Sequence, residues 1–574
     1  MDYDGCRIVL VYILGFSIFS PFSSADKAPY FIFVKPATLA PKVGYFDYIV
    51  VGGGTAGCSL TATLSNGGTV LLLERGGSPY GNKDIEDISS FAVNLANVSP
   101  TSPAQRFVSE DGVISSRARV LGGGSSINAG FYTRAPAEYI ARAGWDYGLV
   151  NQSYEWVEDK VAFAPSMLQF QTAIKNGLLE AGVQPYNGFT YDHMRGTKFG
   201  GTIFDRHGRR HSAADLLEYA DPYRTAVYLY ATAEKILLSR KELGKPRAYG
   251  VVFKDSHGGL HKAFIRPGPK NEVIVSAGAL GSPQLLMLSG VGPALELMLH
   301  GIEVVVDQPQ VGQGMSDNPM NALFVPSPTG VETSLIQAVG ITDYDSFIEA
   351  ASGSTSTGAF MQNLPSAAHM ADSQGDQPPK GDKVLTSQDG MQRATEFMHS
   401  LINGTFSGGV ILEKIARPLS SGYLRLTNLN PNDNPSVRFN YFQDPEDVQK
   451  CVMGMETIIS VIESEPFQKF RIPGMTIQAL MSMAVHLPLN FRPRHFNSAF
   501  SLEQFCIDTV LTIWHYHGGC QVNRVVDKEY KVLGTEGLRV IDGSTFYESP
   551  GTNPQATVMM LGRYMGQRIL AQRL

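Results

Sequence analysis

The chain contains 574 residues, of which 43% are hydrophobic and 17% charged, as in an ordinary globular protein long enough for two or three domains or one large two-lobed enzyme. Its formal net charge is −6 and it contains no basic run, so it lacks the electrostatic footprint of a nucleic-acid-binding protein. We therefore exclude a small binding module and a nucleic-acid partner.

The N-terminus, residues 1–25, has the pattern of a secretory signal peptide. An apolar run at residues 8–22 precedes Ser23 and Ala25, small residues at positions suited to cleavage. Two aspartates offset the single arginine before this run, which leaves a retained anchor open as the alternative. No later segment reaches about 18 uninterrupted apolar residues. We expect a secreted, extracellular protein without a membrane span after cleavage.

Cysteines and glycosylation sequons fit this route. The cysteines that remain after cleavage are Cys58, Cys451, Cys506 and Cys520. None forms a CxxC pair, which argues against a thiolate zinc site, and their disulfide pairing cannot be read from spacing. Sequons begin at Asn97, Asn151 and Asn403 and predict glycosylation in the secretory pathway.

A dinucleotide-binding pattern begins at residue 45, in "YFDYIVVGGGTAGCSLTATLSNGGTVLLLERG". It predicts a strand, a glycine turn, a helix beginning near Thr55 and a second strand ending at Glu74. Gly52-x-Gly54-x-x-Gly57 occupies the turn, where glycines let the backbone approach a pyrophosphate and the helix N-terminus supplies N–H groups. Glu74 can bind ribose hydroxyls. The alternative is a tight strand–helix turn without a ligand.

Later segments give weaker signals. Residues 272–292, "EVIVSAGALGSPQLLMLSGVG", form an apolar strand-like block that ends in a glycine turn. Residues 327–390 are polar and rich in Ser, Gly and Pro, which predicts long loops inserted in another domain. The C-terminal "TVMMLGRYMGQRILAQRL" predicts an amphipathic helix whose methionines pack on the core.

Two histidines stand one residue apart in "IWHYHGGC", residues 513–520. Alternate residues of a strand share a face, so His515 and His517 could both bind one metal ion. They could equally be buried structural histidines, or a catalytic base with a neighbour. Spacing alone does not choose among these.

Three further blocks resemble the glucose-methanol-choline (GMC) oxidoreductases, which are FAD enzymes. They are "RARVLGGGSSINAGFYTR" at 117–134, "GALGSPQLLMLSGVG" at 278–292, and the C-terminal pair "WHYHGGC" and "LRVIDGSTFYESPGTNPQATVMMLGRYMG". The resemblance runs from about residue 45 to the C-terminus in the family's order. Within the family, the runs "TIWHYHGGC" and "GTNPQATVMMLGRYMG" resemble the plant HOTHEAD type, and the neighbouring (R)-mandelonitrile lyase branch shares "WHYHGGC".

The resemblance implies an α/β (α+β) two-domain fold. A Rossmann-like FAD-binding domain would be assembled from residues 44–150, 200–310 and 511–574. Residues 151–199 and 311–510 would form a substrate-binding domain with an antiparallel sheet. We expect a monomer acting on a small-molecule or lipid-like alcohol.

The resemblance also implies residues that hold the FAD. Covalent members carry a His immediately before the Asn that matches Asn128; Ile127 stands there in this chain, which predicts non-covalent FAD. The pyrophosphate and adenosine would contact the glycine turn, Glu74, Arg75, Ala233, Asp542 and Gly543. Residues 120–131 would line the flavin, and Asn553, Pro554 and Gln555 would approach the isoalloxazine. The predicted cofactor-binding residues are Gly52, Gly54, Thr55, Ala56, Gly57, Glu74, Arg75, Val120, Gly124, Asn128, Ala129, Gly130, Phe131, Ala233, Trp514, Asp542, Gly543, Pro554 and Gln555.

The family's catalytic pair matches His515 and Asn553. His515 would take the hydroxyl proton while hydride leaves the same carbon for the flavin. Asn553 would hydrogen-bond the developing alkoxide. His517 matches no catalytic position and is interpreted as structural. A metal ion is not expected, since the family needs none and no third ligand stands nearby.

Two positions favour alcohol oxidation over the alternative, a hydroxynitrile lyase. The mandelonitrile lyases carry a Tyr two residues before the base and a second His, whereas this chain has Ile513 and Asn553. Resemblance to the HOTHEAD type suggests a long-chain ω-hydroxy fatty acid, of the kind used in cutin, as substrate. The lyases also imply a disulfide between Cys451 and Cys506, with two buried free thiols as the alternative.

Overall fold

A computed structural model describes residues 31–97, 99–239, 244–353, 407–487 and 489–573. The predicted signal peptide and the sequon at Asn403 lie outside these residues. Among the residues described, no helix combines the length and apolar character that a membrane span requires.

Half of the described β-strands belong to two large sheets. The strands are β1 (Val34–Pro36), β2 (Val43–Phe46), β3 (Tyr48–Val51), β4 (Val70–Glu74), β5 (Ala104–Val108), β6 (Ile114–Ala118), β7 (Phe131–Tyr132), β8 (Tyr186–Phe189), β9 (Gly196–Phe199), β10 (Gly201–Thr202), β11 (Thr225–Leu229), β12 (Thr232–Ser239), β13 (Arg247–Lys254), β14 (Leu260–Ile265), β15 (Glu272–Val275), β16 (Val291–Gly292), β17 (Val306–Asp307), β18 (Gln313–Met315), β19 (Pro319–Pro326), β20 (Ala338–Ile341), β21 (Ser346–Gly353), β22 (Gly408–Ile415), β23 (Gly422–Arg425), β24 (Ser436–Arg438), β25 (Leu511–Thr512) and β26 (Leu538–Val540).

The helices vary from one turn to five. They are α1 (Thr55–Leu64), α2 (Lys83–Glu86), α3 (Phe91–Ala96), α4 (Ala137–Ala143), α5 (Tyr147–Val161), α6 (Gln169–Glu180), α7 (Gly278–Leu288), α8 (Ala294–Leu299), α9 (Pro445–Glu463), α10 (Ile477–His486), α11 (Leu502–Thr509) and α12 (Gln555–Ala571).

The first large sheet has six strands in the order β1-β11-β4-β3-β15-β26, and every pair in it is parallel. Strands β3, β4 and β15 are buried along their whole length, which explains their continuous apolar sequences. Helix α1 packs on β3 and β4, and α12 packs on α1. This confirms the predicted Rossmann-like sheet, with α1 and β4 at the predicted positions.

The second large sheet has seven strands in the order β25-β19-β22-β21-β20-β9-β8. Every pair is antiparallel except β8 with β9. Helices α6 and α9 pack against it, and all eight residues of β22 are buried. The predicted combination of a Rossmann-like sheet with an antiparallel sheet is therefore confirmed.

The strand-like interpretation of residues 272–292 is wrong for most of the block. The block contains the four-residue β15 and the two-residue β16. Between them the chain forms α7, which begins at Gly278 with φ of +80°. This helix is buried almost all round, so it is apolar on every face and shows no helical period.

The loop prediction for residues 327–390 is also wrong in part. Strands β20 and β21 lie within it, while residues 354–406 lie outside the described residues. The small residues that suggested loops are needed for packing: a Cβ on Gly340 would stand 2.7 Å from Leu178 Cδ2.

The structure contains the disulfide that the resemblance predicted. Cys451 on α9 is bonded to Cys506 on α11, with a Cα–Cα distance of 6.3 Å. Cys58 and Cys520 are buried free thiols. The C-terminal methionines Met559 and Met560 are buried in the core, as predicted.

Candidate active site

Four carboxyl ends of the parallel sheet meet at one edge, because parallel strands all end on the same side. Gly52 follows β3, Glu74 ends β4, Ser276 follows β15, and Asp542 follows β26. The motif that predicted a dinucleotide site thus lies where α/β sheets bind their ligands.

The glycine turn has no room for side chains. Gly52 has φ of +105°, and a Cβ there would lie 2.3 Å from Ser276 O; a Cβ on Gly57 would lie 1.9 Å from Gly52 O. Helix α1 begins after Gly54, which supplies no side-chain cap. The first N–H groups of α1 are therefore left for an anion, and the turn fits the pyrophosphate of FAD.

Glu74 is 6% exposed and is held by two backbone amides. Its Oε2 accepts from Gly53 N at 2.9 Å and its Oε1 from Gly76 N at 2.7 Å. Burial raises its pKa, while these N–H groups act in the opposite direction. Each carboxylate oxygen keeps a second lone pair that can accept a ribose hydroxyl.

Other predicted adenosine contacts have roles within the protein. Arg75 donates to Gln105 Oε1 at 2.7 Å and to Ala118 O at 3.1 Å, and burial lowers its pKa to about 10. Ala233 is partly buried on β12, opposite Phe253 of β13.

The Asp542 carboxylate accepts its hydrogen bonds from groups of the protein. It accepts from Gly278 N at 2.9 Å, Ser282 Oγ at 2.5 Å and Ser544 N at 2.8 Å. A Cβ on the adjacent Gly543 would meet nothing within 4 Å. At this corner, the backbone around Gly543 faces open space, and the Asp542 side chain fixes the backbone's position.

A cavity of about 240 Å³ lies beside this edge. Predicted site residues on its wall are Thr55, Gly124, Asn128, Ala129, Gly130, Phe131, Trp514, His515, Asn553, Pro554 and Gln555. Predicted residues that do not line it are Gly52, Gly54, Ala56, Gly57, Glu74, Arg75, Val120, Ala233, Asp542 and Gly543. Its apolar wall includes Ile88, Phe91, Leu95, Ile127, Met320, Leu335, Ile336, Val410, Leu412, Ile513 and Val558. No Asp, Glu, Lys or Arg is among the described residues that line it.

A side-chain network fixes the wall at Asn128. Its Nδ2 donates to Gln555 Oε1 at 2.9 Å, and Gln555 Nε2 donates to Phe131 O at 2.7 Å. Arg210 donates to Asn128 Oδ1 at 3.0 Å, and burial lowers the pKa of Arg210 to about 9. Because each amide is held at both ends, this wall is rigid before any ligand binds.

The loop that carries His515 is strained and anchored. Trp514 has φ of +60°, a conformation that costs energy for a bulky residue. Its N–H donates to Thr512 Oγ1 at 2.8 Å, and Asp317 accepts from Thr512 Oγ1 at 2.6 Å and from His515 N at 3.0 Å. Burial raises the pKa of Asp317 to about 6, against these hydrogen bonds. Asp317 therefore holds the loop that carries His515 in place.

His515 is enclosed by protein and has its open surface on the cavity. Burial lowers its pKa well below the ordinary value, and the nearby charge of Lys414 and the neighbouring His517 act in the same direction. Its Nδ1 is buried without a partner among the described residues. Nε2 is therefore the atom that a cavity ligand can reach, and the ring is neutral around pH 7.

His517 does not line the cavity. Its Nδ1 lies 3.1 Å from His515 O, and its backbone pairs with Ser316. Burial lowers its pKa to about 4. Among the residues described, no three His, Cys, Asp or Glu side chains converge on a point that could hold a metal ion.

Asn553 is 8% exposed and is bonded to a buried ion pair. Lys414 Nζ lies 2.7 Å from Asn553 Oδ1 and 2.9 Å from Glu349 Oε1. The sequence interpretation missed Lys414, Glu349 and Asp317. The available signal was a pair of charged residues inside the apolar run "VILEKI" of β22.

Two predicted glycosylation sites are described. Asn97 is exposed. Asn151 lies on α5, where its Oδ1 accepts from Arg134 Nη1 at 2.8 Å and its Nδ2 donates to Glu155 Oε1 at 2.8 Å. Glycosylation at either site stays a prediction.

Comparison with known proteins identifies the family. The model for "GMC oxidoreductase" matches residues 46–320 and 418–562. The chain is 50% identical to Protein HOTHEAD of Arabidopsis thaliana, covering 92% of this chain and 89% of that protein. It is 46% identical to the "(R)-mandelonitrile lyase-like" protein of the same plant, covering 96% and 94%.

A solved structure shares the fold. A variant of the formate oxidase from Aspergillus oryzae superposes with a TM-score of 0.71 at 18% identity, covering 93% of this chain and 99% of that one. With two family matches that together span most of the chain, and with a turn that fits the pyrophosphate, this protein belongs to the FAD-dependent GMC oxidoreductase family.

Proposed function

We propose that the protein dehydrogenates the terminal alcohol of a long apolar molecule, with a long-chain ω-hydroxy fatty acid as the substrate class. The observation that carries this proposal is the shared cavity: His515 and Asn553 lie on one uncharged, largely apolar wall with the loop from Gly124 to Phe131. The 50% identity to Protein HOTHEAD supports the same branch of the family.

His515 and Asn553 divide the work on the alcohol. Bound FAD supplies an acceptor for the hydride that leaves the carbinol carbon. Neutral His515 takes the hydroxyl proton at Nε2, and Asn553 hydrogen-bonds the oxygen as negative charge develops on it. A donor of this kind contributes about 3 kcal/mol to lowering the barrier in other enzymes. The apolar wall excludes water from the reacting groups.

The character of the cavity supports a chain-like substrate. With no charged side chain on the described wall, a carboxylate inside the cavity would be buried without a partner, which costs a large free energy. The hydroxyl end and its methylene chain would therefore enter, while the carboxylate stays in water. This orientation is the one that ω-oxidation requires.

Anaerobic reduction of the flavin by a panel of compounds tests the proposal. ω-Hydroxy acids of increasing chain length should bleach the flavin band, with affinity that rises with length as more methylenes are buried. Short aliphatic alcohols serve as the control for chain burial. Reduction by aryl alcohols with no response to any ω-hydroxy acid would contradict the substrate class, and no reduction by any alcohol would contradict the function.

A hydroxynitrile lyase is the second candidate, favoured by the 46% identity to a protein named mandelonitrile lyase-like. Ile513, where the lyases carry Tyr, is buried and lines the cavity, so it offers no hydroxyl to a cyanohydrin. The same assay separates the two functions, because a lyase would release benzaldehyde and cyanide from mandelonitrile without bleaching the flavin.

We also propose export, non-covalent FAD and the predicted division into two domains. The Cys451–Cys506 disulfide supports an oxidising compartment, since disulfides are rare in reduced cytosol.

Ile127 supports non-covalent binding of FAD, because a hydrocarbon side chain has no atom to bond the flavin. Denaturing the purified protein should release free FAD; flavin that stays with the chain would contradict this.

A further inference from the structure

Strand β22 carries two adjacent charged residues into the interior. Neighbouring strand residues point to opposite faces, and Glu413 accepts from Ser346 Oγ at 3.0 Å on one face. Lys414 extends from the other face to Asn553. Of the two, Lys414 is the one that reaches a residue of the cavity wall.

Three contacts fix the Lys414 ammonium. It lies 2.9 Å from Glu349 Oε1, 2.7 Å from Asn553 Oδ1, and 4.2 Å from the centre of the Phe347 ring. Lys414 stands opposite Phe347 in the register of β21 and β22, and Glu349 shares the face of Phe347 because it is two residues further along. The side chains of Lys414 and Glu349 are 0% exposed.

The chemistry of these groups decides which way the Asn553 amide faces. A lysine ammonium has donors and no acceptor, so the atom beside it is the amide oxygen. Amide orientation is ordinarily assigned from such a network, and an ammonium paired with a carboxylate admits one assignment. Since Asn553 lines the cavity, its Nδ2 group is left to face the ligand.

The ion pair has little value for stability alone. Burying two charges removes their hydration, and an apolar pair of similar volume is often as stable or more stable. The hydrogen bond from Lys414 to Asn553 has an effect that an apolar pair could not reproduce. The nearby positive charge polarises the Asn553 amide and makes its N–H group a stronger donor towards the cavity.

We propose that Lys414, held by Glu349, is a positioning residue that fixes the Asn553 amide with its N–H group directed at the alcohol oxygen. This inference rests on the proposed alcohol oxidation and adds how its hydrogen-bond donor is oriented. Lys414 itself does not line the cavity, so it orients the alcohol oxygen through Asn553, while its charge separately lowers the pKa of His515.

The double variant Lys414→Met with Glu349→Gln tests this role, because it removes both charges and leaves no unpaired ion. We expect the anaerobic rate constant of flavin reduction to fall about 10-fold or more, because the alcohol oxygen loses an oriented hydrogen-bond donor. A non-oxidisable methyl ketone should bind more weakly for the same reason, and the change in flavin absorbance on binding measures this. Adding Asn553→Ala to the double variant should reduce the rate little further, because both changes remove one interaction. Lys198→Met and Glu413→Gln are matched controls at buried positions that do not line the cavity.

The outcomes separate this inference from the function itself. Wild-type protein that no alcohol reduces would contradict the proposed function. The role of Lys414 alone would be overturned if an alcohol reduces the wild type and the double variant keeps the wild-type rate and ketone affinity. It would also be overturned if the rate loss in the triple variant equals the loss in the double variant multiplied by the loss in Asn553→Ala. If the double variant fails to retain flavin, Asn553→Asp tests the role of Lys414 in its place. The carboxylate of this variant still contacts the Lys414 ammonium but has no N–H group to donate to the alcohol oxygen. The rate should therefore fall as in Asn553→Ala, and an unchanged rate would overturn the inference.

Discussion

Two regions of the molecule meet at the cavity, and they are built from different groups. The edge of the six-stranded sheet offers backbone: a closed glycine turn and a helix without a side-chain cap. The face of the seven-stranded sheet offers buried side chains, Lys414 and Glu349, behind Asn553. The first region depends on the absence of Cβ atoms, while the second depends on the placement of charge. An added side chain should therefore abolish FAD binding in the first region, and a changed charge should alter the reaction rate and its pH dependence in the second.

The largest expected effect is at the glycine turn. In Gly52→Ala, the new Cβ would overlap Ser276 O at 2.3 Å in a backbone conformation with φ of +105°, so we expect loss of FAD and of much of the folded protein. The ratio of flavin to protein and the thermal midpoint measure this. Gly258→Ala is the matched control: φ is +82° and nothing lies within 4 Å, so it should cost about 1–2 kcal/mol and retain FAD. A Gly52→Ala protein with full flavin content would contradict the steric account.

A smaller but specific loss is expected at the base. His515→Ala should retain FAD and lower the anaerobic rate constant of flavin reduction about 100-fold or more, because no other group replaces the proton acceptor. His486→Ala is the control, since His486 is exposed and contacts Ser482 O. A His515→Ala protein that is reduced as fast as the wild type would remove His515 from the mechanism.

The smallest expected effect is a displaced pH profile. The pKa of His515 is lowered by burial, by Lys414 and by His517, so the ring stays neutral as the pH falls through its ordinary value of about 6.5. The reduction rate at low substrate should be flat from about pH 9 to about pH 6.5 and decline only in more acidic solution, where the ring gains a proton. In the Lys414→Met, Glu349→Gln variant the decline should begin at a higher pH. A wild-type inflection above about pH 6.5 would contradict this electrostatic account.

The same contrast explains what the sequence could predict. Gly52, Gly57 and Glu74 lie within one strand–turn–helix–strand unit, so local spacing predicted the positions of β3, the glycine turn, α1 and β4 correctly. Lys414 and Glu349 are 65 residues apart and meet only through the register of β21 and β22, while Asp317 reaches Thr512 across 195 residues. No local pattern records such contacts. Helix α7 was misread for a related reason, because burial on every side removes the apolar period that distinguishes a helix from a strand.

The most direct test of the central claim is anaerobic reduction of the enzyme's flavin by a long-chain ω-hydroxy acid, compared with the same acid deuterated at the carbinol carbon. If His515 and Asn553 act on an alcohol whose carbinol C–H bond breaks, the flavin band should bleach, and deuteration should slow the bleaching. A flavin band that stays unchanged with both acids, while mandelonitrile is split into benzaldehyde and cyanide, would contradict the account.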